Sequence, residues 1–406
     1  MLPVEAEVRL SVTVRSEGME VNDLAAWMFR EKNAFSEQLV AEVVWQMQEQ
    51  HLQAVLSSER EIVCPGCGVV SSGPGATLRR GSRPRKVRTS NGPVRFRLRQ
   101  VTCPDCRKTW SPFPELLGLE PGQRIVEEFT RRLVDWVTEL SYAKTCRMSR
   151  EWLGDAPSPK TLHEHVQARG EAVEFTEAEP LEIVVGDGTK VPAGPKPRGE
   201  DLTVAFQIGG RRKENGRPAV QKRVVGMGIA EGSWQEALAT AGEPDLVVTD
   251  AETGVRELVA EYYPGARHQL CEWHVPYTLA HTLGLEGMRV EERKAIAGKL
   301  SGMLARRDPR ALTLADRLDG YPKAQSFLRS IEPYVLYSPP SQERTTSVVE
   351  RQMREINRRT DVGARWSIRG VANLMRLRLA KRHNPDDYER LWRPLRPCSS
   401  TLVPQA

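Results

Sequence analysis

The chain has no apolar run near the roughly 18 residues that a bilayer span needs, and acidic residues interrupt every short apolar stretch in its first 30 positions. Neither a membrane span nor a signal segment is expected, so the chain reads as soluble and cytoplasmic. Cysteine is scarce, with seven in 406 residues. The number is odd and four of them form two Cys-x-x-Cys pairs, which suits a metal site in a reducing compartment better than a secreted disulfide framework. There is no internal repeat and no long low-complexity tract, which argues against a solenoid or a tail-like chain. Negative charge is missing from one place: residues 68–102 hold no Asp or Glu. Over the whole chain 59 Lys and Arg face 53 Asp and Glu, a net charge of +6 that is too small to decide a partner. The distribution of charge therefore matters more than its sum.

A chain of this length exceeds one hydrophobic core, since single cores stop growing near ~250–300 residues, and two to four domains are expected. Val4 to Val14 alternates like a short strand, and Asn22 to Ser57 is rich in helix formers. Gly, Pro, Ser and Arg then dominate from Cys64 to Cys106. Helices are predicted again over Val126 to Gly170, and short β runs follow at Leu181 to Val185, Leu202 to Ile208, Lys222 to Ile229 and Leu246 to Thr249. Helices are expected at Ser233 to Ala241 and Thr253 to Tyr263, and a fifth strand at Gln269 to Val275. Leu283 to Ile331 reads as wholly helical, as do Thr345 to Arg359 and Ile368 to Arg382. This is an α/β core interrupted by an all-α insertion. The expected division is 1–60 (N-terminal strand and helices, with a possible dimerisation role), 61–112 (zinc ribbon), 113–178 (helical), 179–278 (first part of the core), 279–340 (insertion), 341–384 (last part of the core) and 385–406 (tail).

Cys64-Pro65-Gly66-Cys67 and Cys103-Pro104-Asp105-Cys106 supply four thiolates in two tight turns, the soft ligand set that tetrahedral Zn²⁺ takes in a ribbon. Two redox-active pairs would use the same residues. Between the turns lie Arg79, Arg80, Arg83, Arg85, Lys86, Arg88, Arg95, Arg97 and Arg99. In Val94-Arg95-Phe96-Arg97-Leu98-Arg99 a period of two sends the apolar residues to one face and the arginines to the other, where they would meet phosphates. Further on, a break at Gly154 to Pro157 precedes Ser158 and Pro159, an N-cap and first helical turn. A helix starting there would carry Lys160, His163, Glu164 and Gln167 outward, as the second helix of a helix-turn-helix reading a major groove or as plain packing.

Leu181 to Val185 leads into Gly186-Asp187-Gly188, and Leu246 to Thr249 leads into Asp250. Strand-end aspartates often cap a helix or close a turn. On adjacent strands they would instead place two carboxylates around shared divalent ions suited to phosphoryl transfer.

A third carboxylate lies in Glu343-Arg344-Thr345-Thr346-Ser347-Val348-Val349-Glu350-Arg351-Gln352-Met353-Arg354-Glu355-Ile356-Asn357-Arg358-Arg359-Thr360. Its Thr/Ser-rich start, Glu350-Arg351, Arg354-Glu355 and closing Arg358-Arg359-Thr360 resemble the signature of Mutator-type bacterial insertion-sequence transposases. The similarity covers about Leu181 to Arg382 and includes a Cys-x-x-His pair, Cys271-Glu272-Trp273-His274. It implies a ribonuclease H-like core with an Asp-Asp-Glu triad at Asp187, Asp250 and Glu350, and a helical insertion in the 99 residues between the last two. It further implies two Mg²⁺ (or Mn²⁺) ions at the triad, with Cys271 and His274 accessory to it. Glu343 and Glu355 are rivals to Glu350 on sequence grounds. Arg354 and Asn357 share the helix face of Glu350 and are expected near the scissile phosphate.

His268, Cys271 and His274 leave a second zinc site open, beside core packing. Trp273 and Tyr277 would either stack on an exposed base or belong to the core. The implied activity is cleavage at transposon ends and strand transfer of the 3′-hydroxyl into target DNA. The implied partners are double-stranded DNA, as terminal repeats and target, and further copies of the chain, at least a dimer. A non-catalytic DNA-binding regulator and a nuclease without strand transfer are the alternatives.

Overall fold

The computed structural model describes residues 6–8, 20–214, 217–239, 242–336 and 343–393. The chain forms two compact units, residues 1–165 and 166–406. The strand expected at Val4 to Val14 lies almost wholly outside the described residues. No described helix is long and apolar enough to cross a membrane.

In the first unit one helix, α1 (Val21–Leu56), runs unbroken because its 36 residues contain neither Gly nor Pro. Strands β1 (Ile62–Val63) and β2 (Val70–Ser71) pair antiparallel, and a long hairpin joins β3 (Leu78–Thr89) to β4 (Gly92–Thr102), with β5 (Thr109–Trp110) beside β4. The predicted alternation holds in β4: Val94, Phe96 and Leu98 are buried against Leu52 and Val55 of α1. Side chains of α1 also occupy the backbone edge of β4, where Gln48 donates to Arg97 O at 2.9 Å and accepts from Arg99 N at 2.8 Å. Glu37 accepts from Arg95 N at 2.9 Å. An edge that would otherwise recruit another strand is thereby closed. Helices α2 (Phe113–Leu116), α3 (Glu127–Val137), α4 (Tyr142–Leu153) and α5 (Pro159–Glu171) follow. Gly154 ends α4 at φ +75°, and any side chain there would collide with Asn33. Ser158 caps α5 by accepting from Thr161 N at 3.1 Å, as its sequence predicts.

In the second unit β6 (Ile183–Val191), β7 (Glu200–Glu214), β8 (Arg217–Ile229), β9 (Leu246–Thr249) and β10 (Arg267–Leu270) form one mixed sheet in the order β10-β9-β6-β7-β8. β6 is central, parallel to β9 and antiparallel to β7. It does not stop at Val185 as the apolar run suggests: pairing with β7 carries it through Asp187 to Val191. Helices α6 (Ser233–Leu238) and α7 (Thr253–Tyr262) contribute Ala237, Leu238, Val255 and Val259 to one core with Val184, Ala205 and Val247. The fifth strand ends at Leu270, earlier than expected, and His274 begins a helix.

That helix, α8 (His274–Leu285), starts an all-α segment with α9 (Val290–Ala305), a 3₁₀ stretch at Pro309–Arg317 and α10 (Pro322–Ile331), packed around Leu279, Leu283, Leu304 and Leu328. The chain returns through α11 (Ser347–Thr360), α12 (Ile368–His383) and α13 (Pro385–Arg390). The expected tail thus begins with a helix, and its Asp387 is buried.

Asp387 accepts from Thr176 Oγ1 at 2.7 Å, Thr176 N at 3.0 Å, Asn384 Nδ2 at 2.7 Å and Arg223 at 3.0 Å. Burial pushes its carboxyl up, but these hydrogen bonds and the Arg223 charge together hold it below the ordinary range. A depressed folded pKa stabilises above the unfolded value of ~4, and that stability is lost as pH falls through the folded value. We expect Asp387→Asn to lower stability by about 3 kcal/mol at pH 7, with the gap to wild type closing below about pH 4. Denaturant melts at the two pH values read this directly; a constant gap would show that Asp387 is not the ionised hub.

Candidate functional site

Alternation along β6 puts Val184 and Gly186 on the α6–α7 face, where Trp234 packs so close to Gly186 that a Cβ would meet its ring at 2.6 Å. Asp187 and Thr189 consequently face the other way. The β6–β9 register pairs Val185 with Val248, and two more residues bring Asp187 level with Asp250. Both aspartates leave the sheet on the face that α11 covers. Thr189 Oγ1 lies 3.0 and 2.7 Å from the amide atoms Oδ1 and Nδ2 of Asn357, fixing α11 to the Asp187 strand.

Asp187 is 5% exposed. Burial, then the charge of Asp250 and, less strongly, that of Glu350 raise its carboxyl to about 7, against the opposing pull of His274 and the N–H of Gly188. Asp187 thus feels the charge of both Asp250 and Glu350, but among the described residues the three carboxylates are not drawn together so that one oxygen of each lies within 4.8 Å of the others. Glu350 is half-exposed, with Arg354 at 3.9 Å. Its rivals lie elsewhere: Glu343 precedes α11, and Glu355 sits among Arg358, Arg378 and Arg382 at 2.9, 3.6 and 3.6 Å.

The Cys-x-x-His turn joins two parts of this site. Cys271 N donates to Thr249 O at 2.8 Å, continuing the ladder beside Asp250, while its sulfur accepts from Thr346 N at 3.3 Å, one turn before Glu350. His274 Nδ1 stands 2.8 Å from Asp250 Oδ1, and the hydrogen bonds to Asp250 and Cys271 raise its imidazole to about 11. His268 is not with them: its Nε2 lies 2.8 Å from the Thr249 hydroxyl, and burial lowers it to about 4. The second zinc grouping is not formed among the described residues. Trp273 and Tyr277 are exposed and do not belong to the core.

No protein-family model matches the chain, and no curated protein matches it. The site is read from its own geometry. Asn357, expected near a phosphate, hydrogen-bonds to Thr189. Thr189 and Thr346 were not singled out from sequence, because their partners lie 168 and 75 residues away.

In the first unit the sulfurs of Cys64, Cys67, Cys103 and Cys106 all lie within 4.8 Å of one another, with Cys64–Cys106 at 3.5 Å and Cys67–Cys103 at 3.8 Å. Four sulfurs about 2.3 Å from one ion form a tetrahedron with edges of about 3.8 Å. The two turns are built alike: Gly68 and Arg107, each just past its second cysteine, have φ of +72° and +62° and donate to the carbonyls of Cys64 and Cys103. The cluster could hold a structural metal such as zinc.

The basic residues divide. Arg95 pairs with Glu37 at 3.2 Å, Arg79 and Arg99 share Glu49 at 3.4 and 2.5 Å, and Arg97 donates to Ser82. On the arginine face of β4, α1 thus brings carboxylates to Arg95 and Arg99, while Arg95 and Arg97 remain exposed. Arg80, Arg83 and Lys86 are exposed, Arg85 and Arg88 half-buried, and Lys160 exposed at the start of α5. Gln167 accepts from Asn373 at 2.9 Å and is taken up against α12.

We expect one zinc per chain by atomic spectroscopy of the purified protein. Cys103→Ser should abolish it and lower the melting temperature of the first unit by many degrees. Full zinc content in that variant would place the metal elsewhere.

Proposed function

We propose that the chain is a DNA transposase of the Asp-Asp-Glu type with a ribonuclease H-like core. The observation that supports this reading is the strand register that sets Asp187 level with Asp250 on one face of the sheet, with Glu350 on a helix that follows an all-α insertion and is tied to the Asp187 strand. That order of parts is the one implied by the resemblance to Mutator-type transposases.

Carboxylate oxygens from buried Asp187 and half-buried Asp250 fit Mg²⁺ or Mn²⁺ better than a soft metal. Two such ions, bound there, would supply Lewis-acid stabilisation of the attacking and leaving oxygens of a phosphodiester. The chain's own residues do the rest. His274 orients the Asp250 carboxylate, Thr346 and Cys271 hold the start of α11, and the Thr189–Asn357 link fixes the distance from Glu350 to Asp187. Arg354, exposed beside Glu350, is positioned to bind the substrate phosphate. Water then attacks the phosphodiester at the element's end, and the freed 3′-hydroxyl attacks target DNA. Holding two ends together calls for at least a dimer.

Labelled terminal-repeat duplex incubated with Mg²⁺ should give cleaved and joined products with the wild type. Glu350→Gln and Asp187→Asn should each lower both by at least ~10³-fold; Glu350→Gln should keep the wild-type melting curve, and Asp187→Asn, which removes a carboxyl whose ionisation costs the fold, should melt no lower than wild type. Cleavage without joining would make the chain a nuclease, and a shifted band with neither product would make it a DNA-binding regulator. Full activity of Glu350→Gln would remove that residue from the site.

A further inference from the structure

The hairpin of the first unit has two basic surfaces, and they differ in whether their charge is already satisfied. On β4, Arg95 and Arg99 face Glu37 and Glu49, and Arg99 also lies 3.9 Å from the centre of the Trp45 ring. On β3, Arg79 and Arg88 pair with Glu49 and Asp155, but Arg85 and Lys86 have no ion pair among the described residues. A groove of about 730 Å³ runs between β3 and the start of α5, lined by Arg85, Lys86, Arg88 and Arg124 with the hydroxyl residues Ser158 and Thr161, and no carboxylate lines it.

The parts of this groove have separable roles. Arg88 is structural: its Nε lies 3.1 Å from Asp155, and its backbone exchanges hydrogen bonds with Arg124 O at 2.8 Å and Val126 N at 3.0 Å. These contacts bind β3 to the walls on either side. Arg85 donates one N–H to Gln123 O and keeps a buried Nε without a hydrogen-bond partner among the described residues. Lys86 and Arg124 have no ion pair among the described residues. Concentrated cations without counter-charge repel one another and are relieved by a polyanion. The first turn of α5, capped by Ser158, adds the favourable end of a helix dipole.

We propose that this groove, rather than the arginine face of β4, grips the sugar–phosphate backbone of duplex DNA, with Arg85, Lys86 and Arg124 neutralising phosphates. The proposal rests on the reading that the chain works on DNA, and it says where the duplex is held. Being remote in sequence from the carboxylates, it can fail while that reading stands.

The test is fluorescence anisotropy of a labelled mixed-sequence duplex with the full chain at several salt concentrations. Arg85→Ala/Lys86→Ala/Arg124→Ala should weaken binding by at least tenfold and flatten the slope of log affinity against log salt by about 2 to 3, one phosphate per lost cation. Arg85→Lys/Arg124→Lys should recover most of the affinity, which separates charge from folding. Arg95→Gln/Arg99→Gln should stay within about twofold of wild type. Wild-type binding by the groove variant, or a larger loss in the β4 variant, would overturn the proposal while leaving the DNA reading intact. Equal competition by duplex RNA would overturn the commitment to DNA. A wild-type chain that binds no duplex would overturn both, whatever the groove variant does.

Discussion

The parallel pairing of β6 with β9 is the constraint on which the carboxylate site depends. Strand pairing has a period of two, so a slip of one residue would turn Asp187 into the α6–α7 core and bring Gly186 to the site face. Two features resist that slip. Trp234 fills the space over Gly186 that any side chain would need, and Val184 and Val247 are wholly buried on the same face. Packing on one side of the sheet thereby sets which side chains stand on the other.

The third carboxylate arrives by a different device. Residues 251–346 separate Asp250 from the helix that carries Glu350, and loop-closure entropy alone would leave that helix loosely placed. It is held at both ends instead. The Cys271 sulfur and the Arg344 carbonyl, which accepts from Glu272 N at 3.1 Å, secure the chain entering α11; Thr189 secures Asn357 two turns past Glu350. Each tether attaches to a segment next to an aspartate, so the helix is registered against the strands that carry Asp187 and Asp250.

Features fixed by local chemistry were legible in the sequence. The four-residue run Leu246 to Thr249 is bounded on both sides and is the observed strand; Ser158 caps α5; the Cys-x-x-Cys turns converge. Features fixed by a distant partner were not. β6 continues past its apolar run because β7 pairs with it, the Cys271 sulfur beyond β10 is taken up by Thr346, and two of the β4 arginines, Arg95 and Arg99, pair with acids that lie 50 to 58 residues upstream on a helix. Alternation correctly predicted which face of β4 is apolar. It carried no information on what would stand against the other face.

Two buried aspartates show how the same residue type serves structure and chemistry differently. Asp387 is surrounded by donors, and its ionised form is favoured, as expected for a carboxylate that holds elements together. Asp187 has one backbone donor, Gly188 at 3.0 Å, and two carboxylates for neighbours, and its pKa is raised from 3.8 to about 7. At one pKa unit per 1.36 kcal/mol, the folded state bears a cost on the order of 4 kcal/mol when that group ionises, growing as pH rises from the unfolded value toward the folded one. Donors around Asp387 favour its charge, whereas burial and neighbouring carboxylates around Asp187 oppose it, so the first holds elements together as an anion and the second stands where its charge is disfavoured.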